Sequence, residues 1–143
     1  MLDGRGESLV RSLTPRSGSI VLVKPDEGLS TKAVYETFDT MGGGAAWAAR
    51  EGLATWGHAA DIPLANDLQD AAFGLSPQLS AIRAWASGQP GVVDVLLCGS
   101  GSATAVLCTD FNTACTIAAA AKLQGWWART TAFGPLKASA VTA

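Results

Sequence analysis

Residues 92–108, VVDVLLCGSGSATAVLC, contain two apolar runs separated by a short loop of glycine and serine. Each run has the length and the β-branched content of a strand, and a four-residue loop is long enough for an antiparallel hairpin. The first run, at 92–98, is apolar nearly throughout, which predicts a strand that is buried on both faces. This stretch therefore predicts a sheet at the centre of the fold.

Two more strands are predicted near the ends of the chain. Residues 19–24, SIVLVK, are β-branched and stop at Pro25, and residues 126–133, WWARTTAF, alternate in polarity. Helical spacing or start signals mark four helices, at 32–39, 67–73, 77–87 and about 111–123. Residues 45–62 are also readable as a helix, although Gly52 and Gly57 disfavour it by about 1 kcal/mol each.

The order strand, helices, strand, strand, helix, strand predicts an α+β fold. It is satisfied by a ferredoxin-like two-layer sandwich, an antiparallel or mixed sheet with helices on one side. A length of 143 residues suits one domain of this kind. We assign residues 1–18 to a lead-in segment and residues 19–143 to the domain.

The charge balance limits the partners. Ten Lys and Arg against twelve Asp and Glu give a net charge of −2, so the chain lacks the basic field that collects nucleic acid or an anionic membrane surface. No run approaches the roughly 20 apolar residues of a membrane span. Charged residues make up only 15% of the chain, and there are five tryptophans, which indicates an apolar surface that packs on a partner.

Cysteine and histidine usage argues against a metal site. Cys98, Cys108 and Cys115 form no C-x-x-C pair, and His58 is the only histidine. Three cysteines without a secretory leader are typical of a reducing compartment, so we expect a cytoplasmic protein with inert thiols.

Two segments carry the candidate binding residues. In the loop Gly99, Ser100, Gly101 and Ser102, the glycines can adopt positive φ and turn backbone N–H groups into one concavity that suits a phosphate, although a plain hairpin turn explains the same residues. Thr31 and Tyr35 are four residues apart and share one helix face. A hydroxyl and an aromatic ring placed in this way can hold a flat ring, whereas the plainer reading makes Tyr35 an aromatic at the edge of the core.

Asn66 and Asp67 have a simpler interpretation. Both residue types are favoured at helix N-caps, and a helix is predicted to follow them. We therefore assign both to a structural role. His58 is most simply a loop histidine.

Taken together, four segments resemble the C-terminal domain of the GHMP family of small-molecule kinases. They are GRGESL at 4–9, GLSTKAVY at 28–35, LANDL at 64–68 and GSG at 99–101. Within the family, the resemblance is to the members that transfer the γ-phosphoryl group of ATP, with Mg²⁺, to the 2-hydroxyl of 4-diphosphocytidyl-2-C-methyl-D-erythritol in non-mevalonate isoprenoid synthesis. It implies that Tyr35 stacks on the cytosine, that Thr31 lines the same pocket, and that Gly99 to Ser102 lie near the phosphates.

The family's nucleotide-binding loop and its catalytic aspartate segment have no counterpart in this sequence. The resemblance therefore implies that the N-terminal catalytic and ATP-binding domain is absent, and that no catalytic residue lies in this chain. We expect the chain alone to bind neither ATP nor Mg²⁺ and to be inactive. Its apolar face would pack on the N-terminal domain in the complete enzyme, or form a homodimer without it.

Two alternatives stay open. The chain could be a free-standing α+β module that binds a small ligand, or part of another GHMP kinase of the homoserine or mevalonate type. The first alternative predicts a complete ligand pocket within the chain, and the second keeps the fold and changes the substrate.

Overall fold

The computed structural model describes residues 2–3, 8–9, 16–43, 58 and 64–134. The elements found there are β1 (Leu2–Asp3), β2 (Ser8–Leu9), β3 (Gly18–Lys24), α1 (Thr31–Thr40), α2 (Gln69–Leu75), α3 (Pro77–Ser87), β4 (Val92–Leu97), β5 (Thr104–Cys108), α4 (Phe111–Leu123) and β6 (Trp127–Phe133). The G-x-G-E motif at 4–7 and nearly all of the possible helix at 45–62 lie outside the described residues, as does the tail from 135.

Four strands form one antiparallel sheet in the order β4-β5-β3-β6, and β1 and β2 form a separate antiparallel pair. The central strand β3 pairs on one side with β5, where Val21 lies opposite Val106, and on the other with β6, where Val21 lies opposite Thr130. This order and direction confirm the predicted α+β class. They also resolve the choice between an antiparallel and a mixed sheet in favour of the former.

The main core lies between this sheet and the helices α3 and α4. Alternate residues of β3 and β5, among them Val21, Val23 and Val106, face Ile82 of α3 and Ile117 of α4, and all five are buried. Strand side chains alternate between the two faces of a sheet, so this set identifies the helix-covered face. The predicted helix layer on one side of the sheet is thus confirmed for these two helices.

Two of the five tryptophans belong to this core and not to an interface. Trp85 and Trp126 both pack against the core cluster and meet edge to face, with ring centroids 5.2 Å apart. Trp127 on the edge strand β6 is 43% exposed. The tryptophan count is therefore a weaker sign of an interface than the sequence suggested.

A second, smaller cluster lies beside β4, where α1 and α2 pack together. Val34 of α1, Leu79 of α3 and Leu97 of β4 are completely or almost completely buried in it, and Leu29 packs against them. Because Leu97 is the last residue of β4, this cluster anchors the start of α1 next to the loop that joins β4 to β5.

The prediction that residues 92–98 are buried on both faces was wrong. The strand lies at the edge of the sheet, Val93 is 63% exposed, and the register with β5 shifts between Val92 and Asp94. All five residues of β5, its inner neighbour, are buried. An apolar run predicts burial, but the position of its strand within the sheet decides how much burial it receives.

Polar side chains cap three of the helices. Ser30 caps α1, Ser76 caps α3 ahead of Pro77, and Asp110 caps α4 by accepting a 2.8 Å hydrogen bond from the backbone N–H of Thr113. This bond, together with those from the hydroxyls of Thr113 and Thr109, lowers the pKa of Asp110 below its ordinary value.

We predict that Asp110→Ala lowers the urea midpoint of unfolding at pH 7. Because the pKa of Asp110 is lower in the folded state, its stabilising effect is complete above the ordinary aspartate pKa of about 3.9 and is lost as the pH falls through the folded value. Urea titrations of the parent and the variant at several pH values should therefore converge in acid. Asp110→Asn, which keeps a cap acceptor, is the control; a difference between parent and Asp110→Ala that persists unchanged into acid would contradict the assignment.

Candidate functional site

The β4–β5 loop is a tight turn built on its two glycines. The Cys98 N–H donates to the Ala103 carbonyl at 2.8 Å, and the Gly101 N–H donates to the Cys98 carbonyl at 3.0 Å. Gly99 and Gly101 have φ values of 56° and 93°, in the region that favours glycine. The positive φ expected for both glycines is confirmed.

Gly101 also permits a close approach. A Cβ placed there would lie 3.2 Å from Cδ2 of Leu29, which stands just before α1, and 3.5 Å from Leu79 and Leu97. At Gly99 the same construction meets nothing within 4 Å. Gly101 thus lets the loop pack onto the entrance of α1, whereas Gly99 supplies only backbone freedom.

A direct contact joins the two candidate segments. The hydroxyl oxygens of Thr31 and Ser100 lie 2.9 Å apart and share a hydrogen bond, although the residues are 69 positions apart in sequence. The segment predicted to hold a flat ring and the loop predicted to lie near phosphates therefore form one surface. We call Thr31, Tyr35 and Gly99 to Ser102 the junction site.

Tyr35 lies one turn along α1 from Thr31 and is 52% exposed. Residues four apart on a helix are neighbours on its surface, so the ring lies on the same face as the hydroxyl that contacts the loop. An exposed ring beside a polar contact is available to stack on a flat ligand. Half exposure is what both interpretations of Tyr35 predict, the ring-binding role and a place at the edge of the core.

Asn66 and Asp67 are not the N-cap that the sequence indicated. α2 begins at Gln69, its N-cap is Leu68, and no side chain caps it. The Oδ1 of Asn66 accepts a 3.0 Å bond from the Leu68 N–H in the turn before the helix, and Asp67 is exposed. The sequence correctly indicated that Asn66 accepts a hydrogen bond from a nearby backbone N–H. It did not indicate the two hydrogen bonds that Asn66 donates.

Those donors reach the junction site. Nδ2 of Asn66 donates to the carbonyl oxygens of Leu97 at 2.8 Å and Gly99 at 2.7 Å. The only hint in the sequence is the residue type, because an amide combines one acceptor with two donors while an aspartate or serine cap does not.

An apolar groove of about 420 Å³ runs along the sheet face opposite α3 and α4. Its floor consists of alternate strand residues, and it extends to Asn66, Cys98 and Gly99 at the junction site. The floor residues are Ile20, Leu22, Leu96, Ala105 and Leu107, with Phe133 at the end of β6. Burial raises the pKa of the Cys98 thiol, and a backbone hydrogen bond from Ala105 opposes this more weakly, so the groove holds a neutral thiol.

Across the described ranges, no three His, Cys, Asp or Glu side chains come together as a metal site would require. None of the helices described there is long and apolar enough to cross a membrane.

Comparison with known proteins shows which family this chain is related to. The family model for the GHMP kinases C terminal domain matches residues 45–125, more than half of the chain. This chain belongs to the GHMP kinase family. The match includes the glycine loop and Asn66, whereas Thr31 and Tyr35 precede it.

Individual GHMP kinases are similar over a longer stretch. The 4-diphosphocytidyl-2-C-methyl-D-erythritol kinase of Streptomyces coelicolor is 38% identical over 131 residues, which cover 85% of this chain and 43% of that protein. The kinase of the same name from Corynebacterium diphtheriae is 34% identical, over 96% of this chain and 45% of its own length.

A solved structure agrees with these sequence relatives. The crystal structure of a 4-(cytidine 5'-diphospho)-2C-methyl-D-erythritol kinase matches with a TM-score of 0.64 and 28% identity, covering 91% of this chain and 47% of that one. The fold assignment is therefore supported independently of the sequence profile. The chain spans less than half the length of these GHMP kinases.

We predict that Gly101→Ala destabilises the protein more than Gly99→Ala does. Both positions have positive φ, which costs an alanine about 1–2 kcal/mol. The Cβ at 101 must in addition displace Leu29, and crowding of this kind costs about 1–3 kcal/mol. Urea unfolding of the two variants gives the free energy of unfolding that each one loses. Equal losses would show that the close approach of Gly101 to Leu29 does not contribute to stability.

Proposed function

We propose that this chain is the carboxyl-terminal part of an ATP-dependent kinase that phosphorylates the 2-hydroxyl of 4-diphosphocytidyl-2-C-methyl-D-erythritol. The observation that carries the proposal is the 38% identity to the Streptomyces coelicolor kinase across 85% of this chain. The junction site supports it, because a ring for a base and a glycine loop for phosphates are the two surfaces that a cytidine diphosphate derivative requires.

In this proposal the junction site binds the substrate and orients it. The exposed ring of Tyr35 stacks on the cytosine, an interaction worth about 1–3 kcal/mol per base. The hydroxyl of Thr31 lines the pocket and, through Ser100, holds the glycine loop in register with the base site. The backbone of residues 99–102 then shapes the region near the phosphates. Such positioning is the main protein contribution to phosphoryl transfer.

ATP, Mg²⁺ and the catalytic groups are assigned to an amino-terminal half of the enzyme. The sequence contains no counterpart of the family's nucleotide loop. We propose that the apolar groove packs against that half, since it leads directly to Cys98 and Gly99 of the loop. When that half is missing, we propose as the alternative that a second copy of this chain packs against the same groove and forms a homodimer. We place the enzyme in the cytoplasm on the ground of its three cysteines, which are typical of a reducing compartment.

We predict that the 143-residue chain alone shows no kinase activity, and that activity appears when it is fused to the amino-terminal half of the Streptomyces coelicolor relative. The reason is that phosphoryl transfer needs the nucleotide cradled and the hydroxyl oriented at the same time. The assay follows ATP-dependent phosphorylation of the cytidylyl substrate, with homoserine and mevalonate as competing acceptors. Turnover by the chain alone would contradict the assignment of ATP binding and catalysis to the amino-terminal half. A preference for homoserine or mevalonate would assign another substrate within the family.

We predict that Tyr35→Ala, in the active fusion, raises the KM for the cytidylyl substrate by about 5-fold to 150-fold, the equivalent of one lost stacking interaction. The KM for ATP should stay the same, and Tyr35→Phe should behave like the parent because the ring is kept. Phe111→Ala is the matched control, since Phe111 is a similarly exposed aromatic at the start of α4, 56% against 52%. An unchanged substrate KM in Tyr35→Ala would exclude cytosine stacking on this ring.

A further inference from the structure

The side chain of Asn66 forms three hydrogen bonds that connect two parts of the fold. Its Oδ1 accepts from the Leu68 N–H, and its Nδ2 donates to the carbonyls of Leu97 and Gly99. Only one orientation of the amide fits, because the reverse would place Oδ1 against two carbonyl oxygens. Asn66 therefore connects the turn before α2 to the end of β4 and the start of the glycine loop.

The partner of this amide is the outer edge of the sheet, at the buried last residue of β4. β4 is the outer strand of the sheet, so the backbone groups of Leu97 that point away from β5 need other partners. The Leu97 carbonyl receives Asn66, and the Leu97 N–H donates to Oε1 of Gln69 at 3.2 Å. The side chains of Asn66 and Gln69 thus form the hydrogen bonds that a neighbouring strand would otherwise form with Leu97, at the end of β4.

The next residue held in this way is Gly99, whose carbonyl accepts no other hydrogen bond within the described part of the chain. It has no side chain, and the space where a Cβ would lie is open for 4 Å. Because it lacks a Cβ, a glycine has many accessible backbone conformations, of which Gly99 adopts one with positive φ. The 2.7 Å bond from Asn66 selects among them and, with the Thr31–Ser100 bond on the next residue, fixes the loop from two sides.

We propose that Asn66 is a positioning residue for phosphoryl transfer, which sets the orientation of the Gly99 to Ser102 loop through its two donated hydrogen bonds. The inference rests on the proposed function. It assigns to Asn66 more than the local turn before α2, and it separates two roles within one side chain: the acceptor shapes the turn, and the donors orient the loop.

Asn66→Asp separates these roles, because the carboxylate keeps the acceptor for the Leu68 N–H and loses both donors. Asn66→Ser adds no charge: its hydroxyl also accepts in turns of this kind, and it has one O–H donor on a shorter side chain in place of the two amide donors. The matched control is Asn112→Asp, the same substitution at an exposed residue of α4. The first measurement is residue-resolved amide hydrogen exchange on the 143-residue chain.

We expect the hydrogen-bonded N–H groups of Cys98 and Gly101, at the start and in the middle of the loop, to exchange about tenfold faster or more in both Asn66 variants, with protection in α4 and β5 unchanged. In the active fusion, kcat should fall about tenfold to a hundredfold while the KM for the cytidylyl substrate stays within about twofold, because misplacing a positioning element slows the reaction and leaves the Tyr35 face intact. Asn112→Asp should change neither.

Unchanged exchange in the loop would overturn the inference, and so would faster exchange with an unchanged kcat, which would reduce Asn66 to a structural residue. A fall in protection throughout α4 and β5 would also count against it, since the effect would then be general unfolding. A parent fusion that phosphorylates none of the acceptors would overturn the proposed function, and the exchange experiment on the chain alone would still decide whether Asn66 holds the loop.

Discussion

The pairing of β3 with β5 is the constraint on which the rest of the structure depends. Both strands lie inside the four-stranded sheet, and both send alternate side chains to opposite faces, so each contributes to two apolar surfaces at once. One surface is closed by α3 and α4. The other forms the floor of the groove that leads to the glycine loop. Every element of the candidate site is positioned relative to these two strands, either through the hairpin that ends in β5 or through the helix that follows β3.

The features that the sequence predicted well are local ones. Ser76 with Pro77 identified the start of α3, and the two glycines of the β4–β5 loop identified a turn with positive φ, because in each case the physical cause lies within a few residues. The order of strands and helices then left few ways to arrange one sheet. For this reason the fold class could be predicted before any contact was known.

The features that it missed depend on residues far apart in the chain. The exposure of Val93 follows from the edge position of β4, which is set by which strand pairs with β5 on its other side. The donors of Asn66 find acceptors 31 and 33 residues away, and the Thr31–Ser100 bond spans 69. Patterns in a single sequence show that an amide or a hydroxyl can bond, but the tertiary arrangement chooses the partner. The site could thus be predicted as two separate segments, but not as one surface.

The sheet order also has a consequence for how the chain is made. β3 pairs Val21 with Val106 and with Thr130, so the first strand of the four-stranded sheet is bordered on both sides by strands that come much later. During synthesis an apolar β3 leaves the ribosome long before either neighbour exists, and closing such long loops is entropically slow. The α3–β4–β5–α4 stretch, in contrast, is local and can collapse by itself around Ile82 and Ile117. Nascent β3 must therefore remain without its neighbours in the sheet until β5 has been made, and an unpaired apolar strand is prone to aggregation in that interval.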